Sequence, residues 1–209
     1  MIFKRKNAPV SGGMYAEYKR EVQPEKTTTS GKVGKMARAD IAVTSIVPGC
    51  GSTYISSAIA NYLFDINRER VTFVGDHKDD YLSSVLRQPI DRQYFPTDIT
   101  ELYSGCDFLV QDLGAYSKLD GSKNMSFARA TTKIVVCHAD SDSMRKLAAF
   151  AHDRSDADRC YYLFNVLPKE WEKNVYRAMD EYEAYCLPLF SAKNPDKDVQ
   201  MIFKNIFGK

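Results

Sequence analysis

The sequence predicts an α/β fold with a doubly wound, mostly parallel sheet and helices on both faces, in three α/β/α layers. Three observations predict it: the strand candidates are continuous apolar runs, they alternate with helix-length segments, and several end in acidic or turn-forming residues. Strands that are apolar on both faces are typical of a parallel sheet buried between helices. In such sheets, ligands bind at the carboxyl ends of the strands, near a switch in strand order.

The first strand is predicted at residues 41–47, where β-branched residues dominate an apolar run. Pro48 and Gly49 end this strand, and the pattern becomes helical from Ser52. The apolar residues of this helix share one face at helical spacing, namely Ile55, Ile59, Tyr62 and Leu63.

The same rules place the remaining elements. Further strands are predicted at residues 70–74, 106–110, 133–137, 159–165 and 184–190. Further helices are predicted at residues 141–152, 168–183 and 198–207. An Asp/Ser cap opens the first of these three helices.

The segment between the first strand and the first helix has the order of a phosphate-binding loop, but it lacks a lysine. Such a segment directs backbone N–H groups and the positive end of a helix at one point. Aligned with the pattern G-x-x-x-x-G-K-[ST], Gly51 is the second glycine and Thr53 the hydroxyl residue. Ser52 then stands at the lysine position and Ile46 at the first glycine. No lysine occurs at residues 36–77.

Three polar residues lie at the end of a predicted strand or just after it, and they are expected at the same edge of the sheet. Asp112 stands where nucleotide-binding proteins hold a carboxylate that coordinates magnesium or water, and the alternative is a loop-capping aspartate. Asp76 is a second candidate, in a segment that also suits a solvated turn. Asn165 suits either contact with a nucleobase edge or a turn.

Length and composition fit one globular domain at residues 39–209. The chain has 209 residues, 44% of them hydrophobic and 27% charged. Its net charge of +2 is no indication of nucleic-acid binding. Five widely spaced cysteines, an odd number, favour reduced thiols in a cytoplasmic protein over a disulfide framework or a zinc site.

Residues 1–38 are predicted to be a flexible basic leader. They are polar and carry nine lysines and arginines against three glutamates. The alternatives are an ordinary disordered leader and an arm that binds a partner or a membrane.

The last predicted helix is amphipathic and has two interpretations. Its apolar residues could pack on the sheet, or residues 198–209 could lie on a membrane surface. The stripe consists of Val199, Ile202, Phe203, Ile206 and Phe207.

Three segments together resemble the MinD/ParA superfamily of P-loop ATPases, which includes the CobQ and CobB proteins. They are VTSIVPGCGSTYISSAIANYL, VTFVGD and DFLVQDLG. The loop is most similar locally to the tyrosine kinases of bacterial capsule export, whose loop has the form T-S-x-x-P-G-E-G-K-[ST]. Here Cys50 replaces the glutamate and Ser52 the lysine. The additional signature lysine of MinD/ParA proteins falls at Val47, so this Walker A motif is degenerate and lacks both lysines.

The resemblance implies a P-loop NTPase-like domain with ATP and Mg²⁺ as cofactors. It implies that Thr53 and Asp112 bind the metal, that Asp76 and Asp112 serve catalysis if the protein is active, and that Asn165 lies near the base. It also implies that one segment binds the nucleotide, consisting of Pro48, Gly49, Cys50, Gly51, Ser52, Thr53 and Tyr54.

The leading functional hypothesis is a pseudo-ATPase. Loss of the lysine should weaken nucleotide binding and should damage phosphoryl transfer more, because catalysis depends on charge that develops in the transition state. Such a protein would position or regulate a larger assembly in the bacterial cytoplasm through contacts with other proteins or with a second copy of itself.

Two alternatives remain open. One is a weak Mg²⁺-dependent ATPase that uses a substitute cation, such as Arg68, Lys78, a lysine of the leader or a residue of a second subunit. The other is a membrane-associated adaptor that uses the last helix. Tyrosine kinase activity is not expected, because the sequence has no carboxy-terminal tyrosine cluster.

Overall fold

Parallel strands form one sheet in the computed structural model, which describes residues 39–67, 70–76, 80–96 and 106–208. Within these ranges the sheet has seven strands in the order β3-β2-β4-β1-β5-β6-β7, and every neighbouring pair is parallel. The strands are β1 (Ala39–Ser45), β2 (Val71–Gly75), β3 (Asp91–Gln93), β4 (Phe108–Ala115), β5 (Thr132–Cys137), β6 (Cys160–Phe164) and β7 (Glu183–Cys186). The predicted α/β class is confirmed. The leader predicted at residues 1–38 lies outside the described residues.

Helices cover both faces of this sheet. They are α1 (Ser52–Asn67), α2 (Asp80–Val85), α3 (Gly121–Arg129), α4 (Ser141–Asp153), α5 (Glu172–Ala178) and α6 (Lys197–Phe207). Successive side chains of a strand point to opposite faces. In β4, Gln111 bonds to Ser126 of α3, whereas Asp112 bonds to Thr53 of α1. The helices α1 and α3 therefore lie on opposite faces of the sheet.

The central strands are buried because both of their faces meet helices. Every residue of β2 is buried, and so are all residues of β1 except Ala39. In β1, the side chains of Ile41, Ala42 and Val43 are fully inaccessible to solvent. The apolar run in the middle of β1 thus corresponds to two-sided burial, as the sequence predicts.

The last helix packs its apolar stripe against the first helix. Val199, Phe203 and Ile206 are buried, and the ring of Phe203 meets the ring of Tyr62 at a centroid separation of 5.5 Å. The core-packing interpretation therefore describes the observed position of α6. Among the described residues, no helix is both long enough and apolar enough to cross a membrane.

The prediction of a long helix at residues 168–183 is wrong. A 3-10 turn at Lys169–Trp171 is followed by α5, which ends at Ala178. Glu183 instead begins β7, where its backbone pairs with β6, so pairing with a neighbouring strand overrides local helix propensity. The strand predicted to reach residue 190 ends at Cys186, before Pro188, which has no N–H to donate.

Three elements were not predicted, and one strand extends further than predicted. The edge strand β3 is polar and all three of its residues are exposed, so no apolar alternation marks it. The helix α2 is short, and α3 carries few apolar residues. The strand predicted at residues 106–110 continues to Ala115, so Asp112 lies within β4 and not beyond its end.

Candidate functional site

The loop between β1 and α1 has a backbone that requires glycine at two positions. Gly49 has φ of 89° and Gly51 has φ of 94°, in the region that side-chain-bearing residues rarely adopt. At Gly49 an added Cβ would meet no atom within 4 Å, whereas at Gly51 it would lie 2.6 Å from Nδ2 of Asn165. The first turn of α1 begins here, because the N–H of Ile55 donates to the carbonyl oxygen of Gly51 at 3.0 Å.

Asn165, which lies two strands away from β1 in the sheet, supports this loop. Asn165 follows β6 and is only 9% exposed. Its Nδ2 donates to the carbonyl oxygen of Cys50 at 3.0 Å. Among the described residues, its Oδ1 has no hydrogen-bond partner. The sequence suggests a base contact or a turn for Asn165, and the structure shows a third role, that of a loop support.

A hydroxyl and a carboxylate meet at the start of α1. Thr53 Oγ1 donates to Asp112 Oδ2 at 2.5 Å, and the N–H of Gly114 donates to the other carboxylate oxygen at 3.2 Å. Asp112 is 2% exposed. It lies beside Val43 of β1 on one side and Gly75 of β2 on the other, so strand register brings it to the loop. Thr53 and Asp112 are adjacent, as a shared metal ion requires.

A cavity of about 390 Å³ opens over the loop. Most of the predicted site residues line it, namely Pro48, Gly49, Gly51, Ser52, Thr53, Asp76 and Asp112. Ser52, at the lysine position, is 7% exposed. The remaining wall includes Ser45, the segment from Leu113 to Ala115, and two lysines.

The side chains of Cys50 and Tyr54 do not line this cavity. Cys50 is fully buried, and burial raises the pKa of its thiol in spite of the adjacent helix start. Tyr54 turns towards the segment after β7. Its hydroxyl donates to the carbonyl oxygen of Phe190 and accepts from the N–H of Ala192 at 3.1 Å. All five cysteines of the chain are buried and unpaired.

The two lysines of the cavity wall, Lys118 and Lys123, were not among the predicted site residues. Lys118 is exposed, in the 3-10 turn after β4, and Lys123 lies in the first turn of α3. Lys123 Nζ forms an ion pair with Asp76 Oδ2 and lies 5.6 Å from the centroid of the Phe95 ring. The one local signal for this helix was Asp120, which caps α3 by accepting from the N–H of Lys123 at 2.9 Å.

The substitute cations proposed from the sequence are not in the described part of the chain. Arg68, Lys78 and the leader lie outside the described residues. In the part that the structure describes, no group of three or more His, Cys, Asp or Glu side chains is arranged to hold a metal ion.

The geometry fits a magnesium-bound polyphosphate. Mg²⁺ in such sites is held by one or two protein oxygens together with phosphate oxygens, which matches the pair formed by Thr53 and Asp112. Two lysines at the wall supply positive charge, and the glycine backbone leaves open space above Gly49. A helix start beneath the loop adds donors for an anion.

Comparison with known proteins identifies the fold. No protein-family model matches the chain, and no curated protein matches it in sequence. Solved structures of three proteins share its architecture, and all are 12–14% identical to it. They cover 81–82% of this chain, and the alignment spans 90–97% of their own length.

The three proteins have TM-scores of 0.53–0.56. A ParA family ATPase from Chlorobium tepidum has a TM-score of 0.53, and the MinD cell division protein from Aquifex aeolicus has 0.56. A plasmid partition protein from Borrelia burgdorferi, bound to AMPPNP, also has 0.56. At this level of identity, the similarity shows the fold alone. The chain therefore has a MinD/ParA-like P-loop fold.

Proposed function

We propose that this protein is a pseudo-ATPase. It binds a nucleoside triphosphate with Mg²⁺ weakly, hydrolyses it poorly, and positions or regulates a larger assembly through protein contacts. One observation carries the proposal: Ser52 occupies the lysine position, while the Thr53–Asp112 pair and the cavity beside it retain the form of a phosphate site.

Binding is supported by the parts of the site that do not depend on the lysine. The positive φ of Gly51, the support from Asn165 and the start of α1 shape the loop. The cavity volume lies within the range of small-ligand pockets, roughly 300–1,000 Å³. The Borrelia protein with the same fold is bound to AMPPNP, an ATP analogue.

Poor hydrolysis is supported by the chemistry of the missing side chain. A lysine–phosphate hydrogen bond is worth about 1.5–3 kcal/mol, or roughly ten- to a hundredfold in affinity. Transition-state stabilisation loses more, on the order of a thousandfold, when an electrostatic donor is removed. The serine hydroxyl at residue 52 carries no charge. We therefore expect the hydrolysis rate to be reduced more than the nucleotide affinity.

Contacts with other proteins are supported by exposed apolar side chains near the loop. Val166 is 53% exposed and directly follows Asn165, and Leu189 is 79% exposed. Leu189 precedes Phe190, whose ring packs edge-on against Tyr54 of α1 at 5.1 Å. Contiguous exposed apolar surface marks sites of protein contact, and we propose that these two side chains belong to such a surface, for another protein or a second copy of this chain.

An active ATPase is the second candidate, because Lys118 and Lys123 bring positive charge to the cavity. The membrane-adaptor alternative gains no support, because it would use the apolar face of α6, where Phe203 is fully buried.

Calorimetric titration of ATP with Mg²⁺ into the protein tests the proposal, alongside a phosphate-release assay. We expect weak binding in the natural chain and binding about ten- to a hundredfold tighter in Ser52→Lys, whose longer side chain would extend into the cavity. We expect phosphate release at background level. Magnesium-dependent turnover that disappears in Asp112→Ala would contradict a pseudo-ATPase and favour the active enzyme.

A further inference from the structure

We propose that Lys123 supplies the phosphate-binding cation that is missing at residue 52, and that Asp76 holds this lysine in place until a polyphosphate displaces the carboxylate. This inference rests on the proposed function, because it assumes that the cavity binds a nucleoside polyphosphate.

The position of Lys123 is the first support. It shares the wall of the cavity with Ser52 and Thr53, although about 70 residues separate it from the loop in the chain. Its side chain is only 16% exposed, in contrast to Lys118, which is exposed in the same wall. A lysine that is largely withdrawn from solvent has lost much of its conformational freedom, so less entropy is lost when it binds an anion.

The anchoring of α3 is the second support. Asp120 caps its start, and Ser126, one turn after Lys123, donates to Oε1 of Gln111 at 2.5 Å. Gln111 is fully buried and in turn donates to Asp40 of β1 at 2.5 Å. This chain of hydrogen bonds fixes the helix against the two strands that carry the loop and Asp112. Lys123 is therefore held near the site by the core and not by a mobile loop.

The partner of Lys123 is the third support. Asp76 Oδ2 binds the Lys123 ammonium group as a phosphate oxygen would, because both oxygens are anionic acceptors. The Asp76 side chain is 55% exposed, and ion pairs with exposed partners contribute little to stability. Exchanging this carboxylate for a phosphate with several charged oxygens therefore costs little and provides more acceptors.

Charge balance is consistent with the exchange. Among the cavity-lining residues, Asp76 and Asp112 carry negative charge and Lys118 and Lys123 positive charge. Mg²⁺ beside Asp112 and a polyphosphate beside the lysines would give Asp112, Lys118 and Lys123 partners of opposite sign. Asp76, released to solvent, needs no new protein partner.

The test is calorimetric titration of ATP with Mg²⁺ into the full chain and three variants. Lys123→Met keeps most of the side-chain volume without the charge, and Asp76→Asn removes the competing carboxylate. Lys204→Met is the matched control, because Lys204 is also a helix lysine but does not line the cavity. Thermal unfolding of each variant verifies that it is folded.

We expect about ten- to a hundredfold weaker binding in Lys123→Met, severalfold tighter binding in Asp76→Asn and no change in Lys204→Met. The salt dependence of binding should also decrease in Lys123→Met, since one cation fewer meets the phosphates.

Three outcomes would overturn the inference in different ways. If the natural chain binds ATP and Lys123→Met binds equally well, Lys123 is not the cation, while the proposed function remains intact. Weaker binding in Asp76→Asn would also overturn the inference, because Asp76 would then assist binding, for example by holding Mg²⁺. If neither the natural chain nor the three variants bind, and Ser52→Lys does not bind either, the proposed function itself fails, and the inference fails with it.

Discussion

The side chain of Asn165 lies so close to Gly51 that only a residue without a side chain fits at position 51. The Asn165 amide donates to the carbonyl oxygen of Cys50 at 3.0 Å, and its Nδ2 lies 2.6 Å from the place of a Cβ on Gly51. The end of β6 thus supports a loop that follows β1, across the intervening β5. The shape of the loop depends on this long-range contact.

The first prediction concerns the glycines of the loop. Gly51→Ala should destabilise the protein by about 2–4 kcal/mol, from backbone strain at positive φ together with the contact to Asn165. Gly49→Ala has similar φ but open space, so it should cost about 1–2 kcal/mol from strain alone. Urea unfolding measures both variants.

A double-mutant cycle separates the two causes at Gly51. In the Asn165→Ala background, the cost of Gly51→Ala should decrease towards that of Gly49→Ala. An unchanged cost would show that the contact with Asn165 is not what excludes a side chain.

The second prediction concerns the hydroxyl of Thr53. Thr53→Val keeps the shape of the side chain but removes the donor to Asp112, so the free energy of unfolding should fall by about 1–3 kcal/mol. The same variant should lose the part of ATP affinity that depends on Mg²⁺, measured by titration with and without EDTA. Thr53→Ser retains the hydroxyl and is the control. Equal magnesium dependence in Thr53→Val would show that this hydroxyl does not contribute to a metal site.

The third prediction concerns pH and the ion-pair cluster of Asp156. Hydrogen bonds from Arg154, at 2.8 and 2.9 Å, lower the pKa of the Asp156 carboxyl, and Lys133 at 3.3 Å adds to the effect. A carboxyl whose pKa is lower in the folded state stabilises the protein above its unfolded pKa of about 3.9. That contribution disappears as the pH falls through the folded pKa.

Asp156→Asn should therefore reduce stability by about 1.5–3 kcal/mol at pH 7, and this loss should become smaller as the pH falls through the folded pKa of Asp156. Urea unfolding at pH 7 and over a series of acidic pH values measures the difference, with Asp158→Asn as the control at an exposed position two residues away. A difference between Asp156→Asn and the natural chain that does not change with pH would contradict an electrostatic contribution from this carboxylate.

The fourth prediction concerns α6. Phe203 is fully buried against Tyr62, so Phe203→Ala should cost about 3–5 kcal/mol in unfolding free energy. Met201, on the same helix, is 58% exposed, so Met201→Ala should change stability by less than about 0.5 kcal/mol. Co-sedimentation with lipid vesicles should be the same for the natural chain and Met201→Ala. A small stability loss in Phe203→Ala would reopen a surface role for this helix.

Elements with strong local patterns were predictable from the sequence. The buried strands contain apolar runs, α1 and α4 start where their polar and capping residues indicate, and α6 carries an apolar stripe. Elements with weak patterns were not: β3 is polar and exposed, and α3 begins with glycine and has a mixed composition. The missed helix α3 carries Lys123, so the positive side of the site was missed with it.

The sequence by itself determined the α/β class, the glycine loop, the absence of its lysine, and the candidate pair of Thr53 and Asp112. The class and the loop depend on periodicity and spacing, which act over a few residues, and the resemblance of the loop and of the later strand to a known family implies the pair. Tertiary structure alone decided that Asn165 supports the loop, that Tyr54 faces Phe190, and that Lys123 meets Asp76. These pairs are tens of residues apart or more, and strand order and helix packing bring them together, which no local pattern encodes.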